Sequence, residues 1–413
     1  MEKRFTLTKE FFGGILYDNK TKSNILLEEE DYKTIESILN NDEKLYKSKS
    51  TNLLVEDLIN IDLINYDVSV ANNKVFPDHL SAPFRIFYDI TYGCNLRCKH
   101  CFTNSGNKNA DELTLDEKLN LIKNIKKLGT KRISIAGGEP FVSPDLFPFL
   151  RSCNENNIDV SITTNGTLFT KEIIETLNKY NLKNLTVSFD GGNRYHMDEI
   201  RGKGSYDKVI KGLSLLNNYY AGNYSIKTTM MKTNLNDVDK IIETAIKYGC
   251  KTVKFNCVRE DGRAKLNDGI IINSSEYIGM IKKIEKAKQK YQEKIRIKAP
   301  LNTFCEEEYN YISDLGFGCF AGKETLCIDP LGNVRPCSHF PKEFICGNVK
   351  EELLYDIWHN SSVLQTFRHL SGNDTCNNCE KYDKCRAGCR YRAFLNDGIN
   401  SVDPFCYKGE YGE

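Results

Sequence analysis

Six apolar segments alternate with helical patterns between residues 85 and 257, and this alternation constrains the fold more than any other feature. The predicted strands are Arg85–Thr91, Arg132–Ala136, Asp159–Thr164, Leu185–Phe189, Ser225–Met230 and Thr252–Cys257. The predicted helices between them are Thr114–Leu128, Pro144–Asn156, Lys171–Tyr180, Ser205–Tyr219 and Leu235–Tyr248. Such a succession predicts a parallel sheet, curved into a full or partial barrel, with functional groups at the carboxyl ends of its strands.

Composition limits the classes of protein to which this chain can belong. It has 413 residues, 40% of them hydrophobic, and a formal net charge of +1, which fits a folded protein of two or three domains. The near-neutral charge gives no electrostatic basis for binding nucleic acid, and the sequence contains no apolar stretch of bilayer-spanning length and no signal peptide. We therefore expect a cytoplasmic protein without nucleic-acid or membrane partners.

The densest cysteine motif follows the first predicted barrel strand. Cys94, Cys98 and Cys101 have the spacing C-x3-C-x2-C, and the chain has 16 cysteines in all. Because disulfides rarely persist in a reducing compartment, such clusters indicate metal ligation. Three thiolates can hold three corners of a four-iron, four-sulfur cluster and leave one iron open. A zinc site or core cysteines are the alternatives, although His100 is too close in sequence to serve easily as a fourth zinc ligand.

This triplet resembles the signature of the radical S-adenosylmethionine (SAM) superfamily, with the aromatic residue His100 before the third cysteine. The resemblance implies that the amino and carboxylate groups of SAM bind the open iron. One electron then cleaves the sulfonium to give a 5'-deoxyadenosyl radical. The resemblance therefore makes Cys94, Cys98 and Cys101 the expected catalytic and cluster-binding residues, with His100 near the cofactor.

Residues at further strand ends are expected to contact SAM. Gly137, Gly138, Glu139 and Pro140 end the second strand, where glycines permit close approach of a ligand and a carboxylate can accept from an amine. The resemblance implies that this motif binds the methionine amino group. It also implies cofactor contacts from Asn165, Ser188, Asp190 and Arg201. Without the triplet, turns, a capping acid and a surface charge would explain the same residues.

A second group of cysteines lies after residue 300. Its seven members are Cys319, Cys337, Cys376, Cys379, Cys385, Cys389 and Cys406. They resemble the SPASM domain, which holds two auxiliary 4Fe–4S clusters in related peptide-modifying enzymes. The resemblance implies one cluster on Cys376, Cys379, Cys385 and Cys406, and most of the other on Cys319, Cys337 and Cys389. A zinc ribbon is the alternative for the tight four-cysteine run.

Seven cysteines are one short of two complete four-ligand clusters. Similar sulfatase maturases take the eighth ligand from a cysteine six residues before the position of Cys319, where this chain has Ser313. Either Cys305 or Cys327 replaces that ligand, or one auxiliary iron stays open. The same maturases have a proton-accepting aspartate after the cysteine that matches Cys337. This chain has Ser338 there, which disfavours formylglycine formation, although His339 follows.

We expect three domains, with boundaries at 1–80, 84–300 and 301–413, and a linker at Val70–Pro83. The first has predicted strands at Phe5–Thr8, Gly13–Tyr17, Asn24–Leu27 and Ile61–Tyr66, and predicted helices at Glu28–Asn40 and Leu53–Asn60. A last helix at 274–294 precedes the cysteine-rich region. The predicted fold class is α/β: a small winged-helix-like α+β domain, a partial (β/α)6 TIM-like barrel, and an iron-sulfur SPASM domain.

The first domain bears on the substrate. Its pattern resembles the PqqD-like recognition element of ribosomal-peptide maturases, which implies that a leader peptide adds as a strand to an exposed edge. A structural lid or a dimerisation domain is the alternative. We therefore expect a radical SAM maturase that cross-links a precursor peptide, with a cysteine thioether as the favoured product and a flavodoxin or ferredoxin-type electron donor. The other hypotheses are carbon–carbon linkage, a sulfatase-maturase-like activity, modification of a small cofactor or porphyrin, and a zinc-stabilised peptide-binding scaffold.

Overall fold

The structure is a computed structural model that describes residues 3–39, 68–299, 319–370, 372–380, 382–385 and 387–406. The chain divides into two compact units, Met1–Pro83 and Phe84–Glu413. Within the described ranges, no helix is both long and apolar enough to cross a membrane.

The N-terminal unit is a small sheet with one described helix. Its elements are β1 (Phe5–Glu10), β2 (Gly13–Asp18), β3 (Ser23–Glu28), α1 (Glu29–Leu39) and β4 (Val68–Val70). The strand order is β3-β2-β1-β4, and only β4 runs parallel to its neighbour. Leu7, Leu16 and Leu27 form its core with Tyr32 of α1. β1, β2, β3 and α1 were predicted, whereas β4 was missed, because it has three residues and Val70 was assigned to the linker. The predicted elements Leu53–Asn60 and Ile61–Tyr66 lie outside the described residues.

The second unit begins with parallel strands that alternate with helices. The strands are β5 (Arg85–Asp89), β6 (Arg132–Ala136), β7 (Asp159–Thr164), β8 (Asn184–Ser188), β9 (Tyr224–Met230), β10 (Thr252–Cys257) and β11 (Arg296–Lys298). The helices are α2 (Leu115–Leu128), α3 (Leu146–Glu155), α4 (Lys171–Leu177), α5 (Arg194–Arg201), α6 (Ser205–Tyr219), α7 (Val238–Lys247) and α8 (Ser274–Tyr291). Each strand pairs in parallel with the next in this order. The predicted partial (β/α) barrel is therefore confirmed.

The two faces of this sheet differ in chemistry because side chains alternate along a strand. On the helix-covered face, Ile86 and Tyr88 of β5 are fully buried, and Tyr88 stacks on Phe149 of α3 with ring centroids 5.2 Å apart. The other face, here called the inner face, is mostly polar. In register across neighbouring strands it carries Phe87, Ser134, Ser161, Asn184, Thr186, Ser188, Ser225, Lys227, Thr252 and Lys254.

The cysteine-rich region continues the same sheet. Its strands are β12 (Thr325–Ile328), β13 (Asn333–Arg335) and β14 (Gly347–Asn348), and β12 pairs in parallel with β5. Its helices are α9 (Leu354–Asn360), α10 (Ser362–Arg368), α11 (Asp374–Asn377), α12 (Tyr382–Cys385) and α13 (Arg390–Asp397). A cluster that includes Phe340, Phe367 and Tyr391 forms a local core.

Over the described ranges the sheet has ten strands, four more than the six that the sequence predicted, the additional ones being β11 to β14. The prediction missed β11, which has three residues, and β12, which is buried along its whole length. Neither segment shows the alternation or length by which a strand is recognised from sequence. The prediction also missed α5, because its eight residues follow a loop rich in turn formers.

Candidate active site at the carboxyl ends of the barrel strands

The cysteine loop follows β5 and is held by one buried carboxylate. Glu112 accepts hydrogen bonds from Tyr92 N at 2.8 Å, Thr91 Oγ1 at 2.8 Å and Asn109 N at 3.1 Å. These contacts join both flanks of the loop that carries the three cysteines. Glu112 was not singled out from the sequence, because an acid eleven residues after the last cysteine of the motif gives no local signal.

All three cysteines of this loop are free thiols; Cys98 is buried, and Cys94 and Cys101 are half-buried. Burial raises the pKa of the Cys98 thiol to about 11, against the opposing effect of the Arg201 charge. The Nη1 atom of Arg201 lies 3.9 Å from Cys98 Sγ. A site with three thiols and a facing cation suits an anionic thiolate-ligated cluster.

The loop after β10 packs directly on the cysteine loop. Arg263 donates from Nε to the Cys98 carbonyl oxygen at 2.8 Å and from Nη1 to the Ser105 carbonyl oxygen at 2.9 Å. Gly262 has φ of +52°, and a Cβ there would overlap with the carbonyl oxygen of Cys101. The loop after β10 is thus joined by hydrogen bonds to the cysteine loop after β5.

The two glycines after β6 allow the chain to approach itself. Gly138 donates its N–H to the Thr91 carbonyl oxygen at 2.7 Å, and its missing Cβ would overlap with Gly93 O. Gly137 has φ of +119° and faces Thr91 O in the same way. The sequence had suggested close approach of a ligand. That stays a prediction, and the structure shows in addition that these glycines let the end of β6 contact the start of the cysteine loop.

Glu139 is fully buried beside that contact. Its carboxylate accepts from Thr164 Oγ1 at 2.7 Å, Asn165 N at 2.7 Å and Phe141 N at 3.1 Å. Burial raises the pKa of Glu139, although these hydrogen bonds oppose the shift. A carboxylate offers about four acceptor positions, so one remains for a cationic amine. Pro140 follows Glu139 as the first residue of a short 3-10 turn.

Asn165 links the end of β7 to the cysteine loop. Its side-chain Nδ2 donates to Asn95 Oδ1 at 2.8 Å, and its Oδ1 accepts from Thr167 N at 2.9 Å. Asn95 lies directly after Cys94 in the chain. Asn165 therefore fixes the position of the loop beside the first cysteine.

A second buried carboxylate follows β8, where Ser188 is the last strand residue. Asp190 Oδ2 lies 2.6 Å from both Nε and Nη2 of Arg201, and its Oδ1 accepts from Thr229 N at 2.7 Å. His100 Nε2 lies 3.3 Å from the same Oδ2 atom. Asp190, Arg201 and His100 thus form one connected group beside Cys98.

His100 presents an unused polar atom in this group. Burial lowers the pKa of His100 to about 4, against the raising effect of Asp190. A neutral imidazole that donates from Nε2 to Asp190 keeps Nδ1 as an acceptor. Nδ1 is buried and has no hydrogen-bond partner among the described residues. An orphaned acceptor beside a buried carboxylate and a cation fits a polar cofactor.

A cavity of about 380 Å³ lies between the barrel mouth and the cysteine-rich region. Its lining includes Asp89 at the end of β5, Asp261, Cys327, Ser338 and His339. His339 Nδ1 is hydrogen-bonded to Asp261 Oδ2, and burial lowers the pKa of His339 to about 4. Burial, with the nearby Asp329, raises the pKa of Asp89 to about 7.

The late cysteines fall into two spatial groups. Cys389 belongs to the buried cluster around Phe340, and Cys319 and Cys337 pack against that cluster, so these three residues lie in one region. Burial raises the pKa of Cys337 to about 11. In the other group, burial raises the pKa of Cys376, and the charges of Cys406 and Cys379 add to the shift. Cys385 ends α12.

Other residues extend the first of these groups. The guanidinium Nη2 of Arg259 lies 3.9 Å from Cys389 Sγ. Burial raises the pKa of Cys327 well above its ordinary value, and Cys337 adds to that shift. Cys305 and Ser313 lie outside the described residues. In the described part of the chain, no three His, Cys, Asp or Glu side chains can share one metal ion. A four-iron cluster spreads its ligands more widely than a single ion does.

Comparison with known proteins identifies the family to which a site of this kind belongs. Residues 88–257 match the model of the radical SAM superfamily, and residues 319–380 match the SPASM model, an iron-sulfur cluster-binding domain. The AdoMet-dependent heme synthase of Methanosarcina barkeri is 30% identical over 347 residues, which cover 79% of this chain and 97% of that protein. The chain belongs to the radical SAM superfamily. Mycofactocin maturase MftC of Mycolicibacterium smegmatis is 26% identical over 345 residues, covering 81% and 85% of the two chains.

Two solved structures are similar to this chain in fold. Streptococcus suis SuiB bound to its precursor peptide SuiA aligns with a TM-score of 0.75 over 98% of both chains, at 18% identity. The structure of anSMEcpe with bound AdoMet aligns with a TM-score of 0.63 over 78% of this chain and 94% of that one, also at 18% identity. The SuiB likeness covers both units of this chain.

This radical SAM protein is therefore an enzyme whose cofactors are SAM and 4Fe–4S clusters. When bound, these cofactors would supply radical chemistry that begins with removal of a hydrogen atom from a substrate. The residues around the cysteine loop fit them: free thiols for the cluster, and buried polar groups with remaining hydrogen-bonding capacity for SAM. The protein itself contributes position and electrostatics, because the radical chemistry belongs to the cofactors.

Proposed function

We propose that this enzyme matures a ribosomally made precursor peptide by forming an intramolecular cross-link. The favoured product is a cysteine thioether, as in sactipeptides and ranthipeptides. In this reaction a carbon–hydrogen bond and a thiol S–H bond are lost and one carbon–sulfur bond is formed. The carbon-bound hydrogen atom would go to the SAM-derived radical, the thiol hydrogen would leave as a proton, and the remaining electron would pass to an auxiliary cluster. The peptide therefore loses two hydrogen atoms for each cross-link.

The N-terminal unit is the observation that carries this proposal. Among the described residues, β3 pairs with β2 alone, so its outer edge leaves backbone groups for another strand. An extended leader peptide can add to such an edge through main-chain hydrogen bonds. A fold likeness that includes this unit is shared with SuiB, which has been solved with its precursor peptide SuiA.

We assign roles to the residues around the cysteine loop. Cys94, Cys98 and Cys101 hold the SAM-binding cluster. Glu139 accepts from the methionine amino group through its remaining lone pair, and Arg201 faces the methionine carboxylate. The supporting contacts come from Gly137, Gly138, Pro140, Asn165, Ser188, Asp190 and His100. The proposed role of Asp190 and Asn165 is to fix the positions of Arg201 and of the cysteine loop.

The cysteine-rich region is proposed to hold two auxiliary 4Fe–4S clusters. Cys376, Cys379, Cys385 and Cys406 hold one, and Cys319, Cys337 and Cys389 hold most of the other. Among the described residues, Cys327 is the candidate for the missing ligand, because the charge of Cys337 contributes to the raised pKa of the Cys327 thiol. A flavodoxin or ferredoxin-type protein is the proposed electron donor.

A second candidate substrate is a porphyrin or another small cofactor. It is favoured by the 30% identity to the heme synthase of Methanosarcina barkeri, which exceeds the identity to MftC. An enzyme that modifies such a small substrate would need no strand edge for binding a leader peptide. Sulfatase-maturase-like activity is less favoured, because Ser338 cannot replace a carboxylate base. Membership of an enzyme superfamily argues against a zinc-stabilised scaffold, and iron and sulfide analysis tests that hypothesis directly.

The test of the proposed function uses a short cysteine-containing peptide encoded beside this gene. Incubation with anaerobically purified enzyme, reductant and SAM should remove two hydrogen masses per cross-link and protect the linked cysteines from alkylation. The Cys98→Ala enzyme and the matching cysteine-to-serine peptides are the controls. Loss of mass with every thiol still alkylatable would replace the thioether with a carbon–carbon link. No change in the peptide, together with turnover of a porphyrin, would overturn the peptide assignment.

A further inference from the structure

Two lysines stand side by side on the inner face of the barrel. Lys227 of β9 is the register partner of Lys254 of β10, and on its other side it is the register partner of Ser188 of β8. Register partners in a parallel sheet lie on the same face, and neighbouring strands are about 4.8 Å apart. The two ammonium groups are therefore anchored on adjacent strands in the same layer as the end of β8.

Few protein groups neutralise these two cations. Lys254 Nζ donates to the neutral Thr186 Oγ1 at 3.4 Å. For Lys227, the structure gives no hydrogen bond or ion pair from the ammonium to a described residue. Two carboxylates, Asp190 after β8 and then Asp89 at the end of β5, raise the pKa of Lys227, but the charge of Arg259 has a larger opposing effect than either, and Asp190 is already paired with Arg201. Ser, Thr and Asn side chains fill the neighbouring positions of this face.

The electrostatic environment of the pair is positive. Burial lowers the pKa of Lys254 to about 8, and the charges of Lys227 and Arg85 add to the shift. Burial also lowers the pKa of Lys227, with a further lowering effect from Arg259. Two like charges on adjacent strands repel each other, and burial makes that repulsion stronger than it is in water. An anion bound between the two lysines would offset both the repulsion between them and the cost of burying their charges.

We propose that Lys227 and Lys254 form a subsite that binds a carboxylate group of the substrate inside the barrel. A carboxylate has two oxygens and can accept from both ammonium groups at once. This proposal rests on the proposed function in one respect, since it assumes that the substrate is a peptide. The carboxylate then belongs to an aspartate or glutamate side chain or to the peptide's carboxyl terminus.

The position of the pair relates the subsite to the cofactor site. Ser188, a proposed SAM contact, is in register with Lys227, and Lys254 lies one strand further from β8. A carboxylate held between the lysines would sit next to the place where SAM binds. The methionine carboxylate of SAM is the competing ligand, so the test must keep the SAM site filled.

The test measures binding of small probes to the full-length holoenzyme, with clusters reconstituted and SAM saturating. The probes are N-acetylglutamate α-amide, N-acetylglutamine α-amide and N-acetylalanine, and dissociation constants come from anaerobic NMR titration. In wild type, the glutamate probe or N-acetylalanine should bind at least tenfold more tightly than the uncharged glutamine probe. Which acid binds better identifies a side-chain or a terminal carboxylate.

Two variants and one control complete the test. Lys227→Gln and Lys254→Gln should each remove most of the preference for the acid probes, whereas Lys208→Gln on the exposed face of α6 should retain it. Cluster absorbance and circular dichroism verify that each variant folds. Equal binding of acid and amide probes by wild type, or a preference that survives in both variants, would overturn the proposal. So would a Lys227→Gln enzyme that loses SAM affinity but keeps the preference.

These outcomes separate the subsite from the proposed function. The probes contain no leader and no cysteine, so their binding does not depend on cross-linking. A carboxylate preference in an enzyme that leaves the precursor peptide unchanged would support the subsite and count against the peptide function. Modification of the precursor by an enzyme that shows no preference among the probes would support the peptide function and count against the subsite.

Discussion

Arg263 donates a hydrogen bond from Nε to the carbonyl oxygen of Cys98 at 2.8 Å. Cys98 follows β5, the first barrel strand, whereas Arg263 follows β10, the sixth. The loop that carries the cysteines is therefore held from a distant part of the chain. Its geometry depends on how the last strands of the barrel pack as well as on its own sequence.

The glycine beside this contact provides the first prediction. Gly262→Ala should weaken the attachment of the cysteine loop, because a Cβ would overlap with Cys101 O and because φ of +52° disfavours side chains. We expect a lower iron content at the SAM-binding site, measured by iron analysis and by low-temperature EPR of the reduced protein. Gly269→Ala is the matched control, since a Cβ there meets nothing within 4 Å. Equal iron content in both variants would contradict the prediction.

Glu139→Gln should weaken SAM binding by roughly tenfold or more, the usual size of a charge-assisted hydrogen bond. The amide cannot reproduce the carboxylate, because its nitrogen would face one of the N–H donors of Phe141 and Asn165. Calorimetric titration with SAM and the SAM-dependent change in the cluster EPR signal measure the effect. Glu175→Gln, on the exposed face of α4, serves as the control. Unchanged affinity with an intact cluster would show that Glu139 does not contact the cofactor.

A buried ion pair between two helices predicts a change in stability. The side chain of Lys118 on α2 is fully buried, and its Nζ lies 2.7 Å from Asp145 Oδ2 at the start of α3. Lys118→Met should lower the free energy of unfolding by about 3 kcal/mol, because Asp145 then keeps a partly buried charge without its partner.

Urea unfolding followed by circular dichroism measures this loss. Lys123→Met, on the exposed side of the same helix, should have little effect. Adding Asp145→Leu to Lys118→Met should restore much of the lost stability, since replacing both ions with apolar groups is often neutral. A double variant as unstable as the single one would mean that Lys118 stabilises the helices mainly through its packing.

The N-terminal unit should become less stable as pH rises. Glu10 is buried and accepts from Ser81 N at 3.0 Å and Ser81 Oγ at 2.6 Å, and burial raises its pKa from 4.5 to about 7. Between these two values unfolding releases a proton, so the free energy of unfolding falls with rising pH, by roughly 3 kcal/mol at most.

Hydrogen exchange of the β1 and β2 amides in the full-length protein, corrected for intrinsic rates, measures this pH dependence. Glu10→Gln should make the protection nearly independent of pH in this range, whereas Glu28→Gln on the exposed end of β3 should not. A slope that persists in Glu10→Gln would assign the effect to another group.

Local sequence patterns were sufficient to predict much of the barrel. Strands Arg132–Ala136, Asp159–Thr164 and Thr252–Cys257 were predicted with the bounds that the structure gives them. Their apolar residues alternate or cluster over five or six residues, and helical patterns of sufficient length separate them. The functional motifs could also be placed at strand ends, because the predicted strands define where those ends lie.

Features that depend on distant pairing could not be predicted. The pairing of β12 with β5 joins segments about 240 residues apart, and no local pattern indicates it. The neighbouring positions of Lys227 and Lys254 require the register of two strands, which a single sequence does not contain. The low pKa of His100 follows from burial, against the raising effect of Asp190, and burial is a property of the folded protein.

The chemical difference between the two faces of the barrel sheet has an evolutionary consequence. Residues such as Ile86, Tyr88 and Phe149 supply apolar packing on the outside, whereas the serines, threonines and lysines of the inner face contribute little to it. Mutations on the inner face can therefore accumulate without unfolding the protein. A saturation-mutagenesis library should tolerate most substitutions at Ser161, which is partly exposed, and few at Ile86, which is fully buried. One scaffold can thus be adapted to new substrates from within.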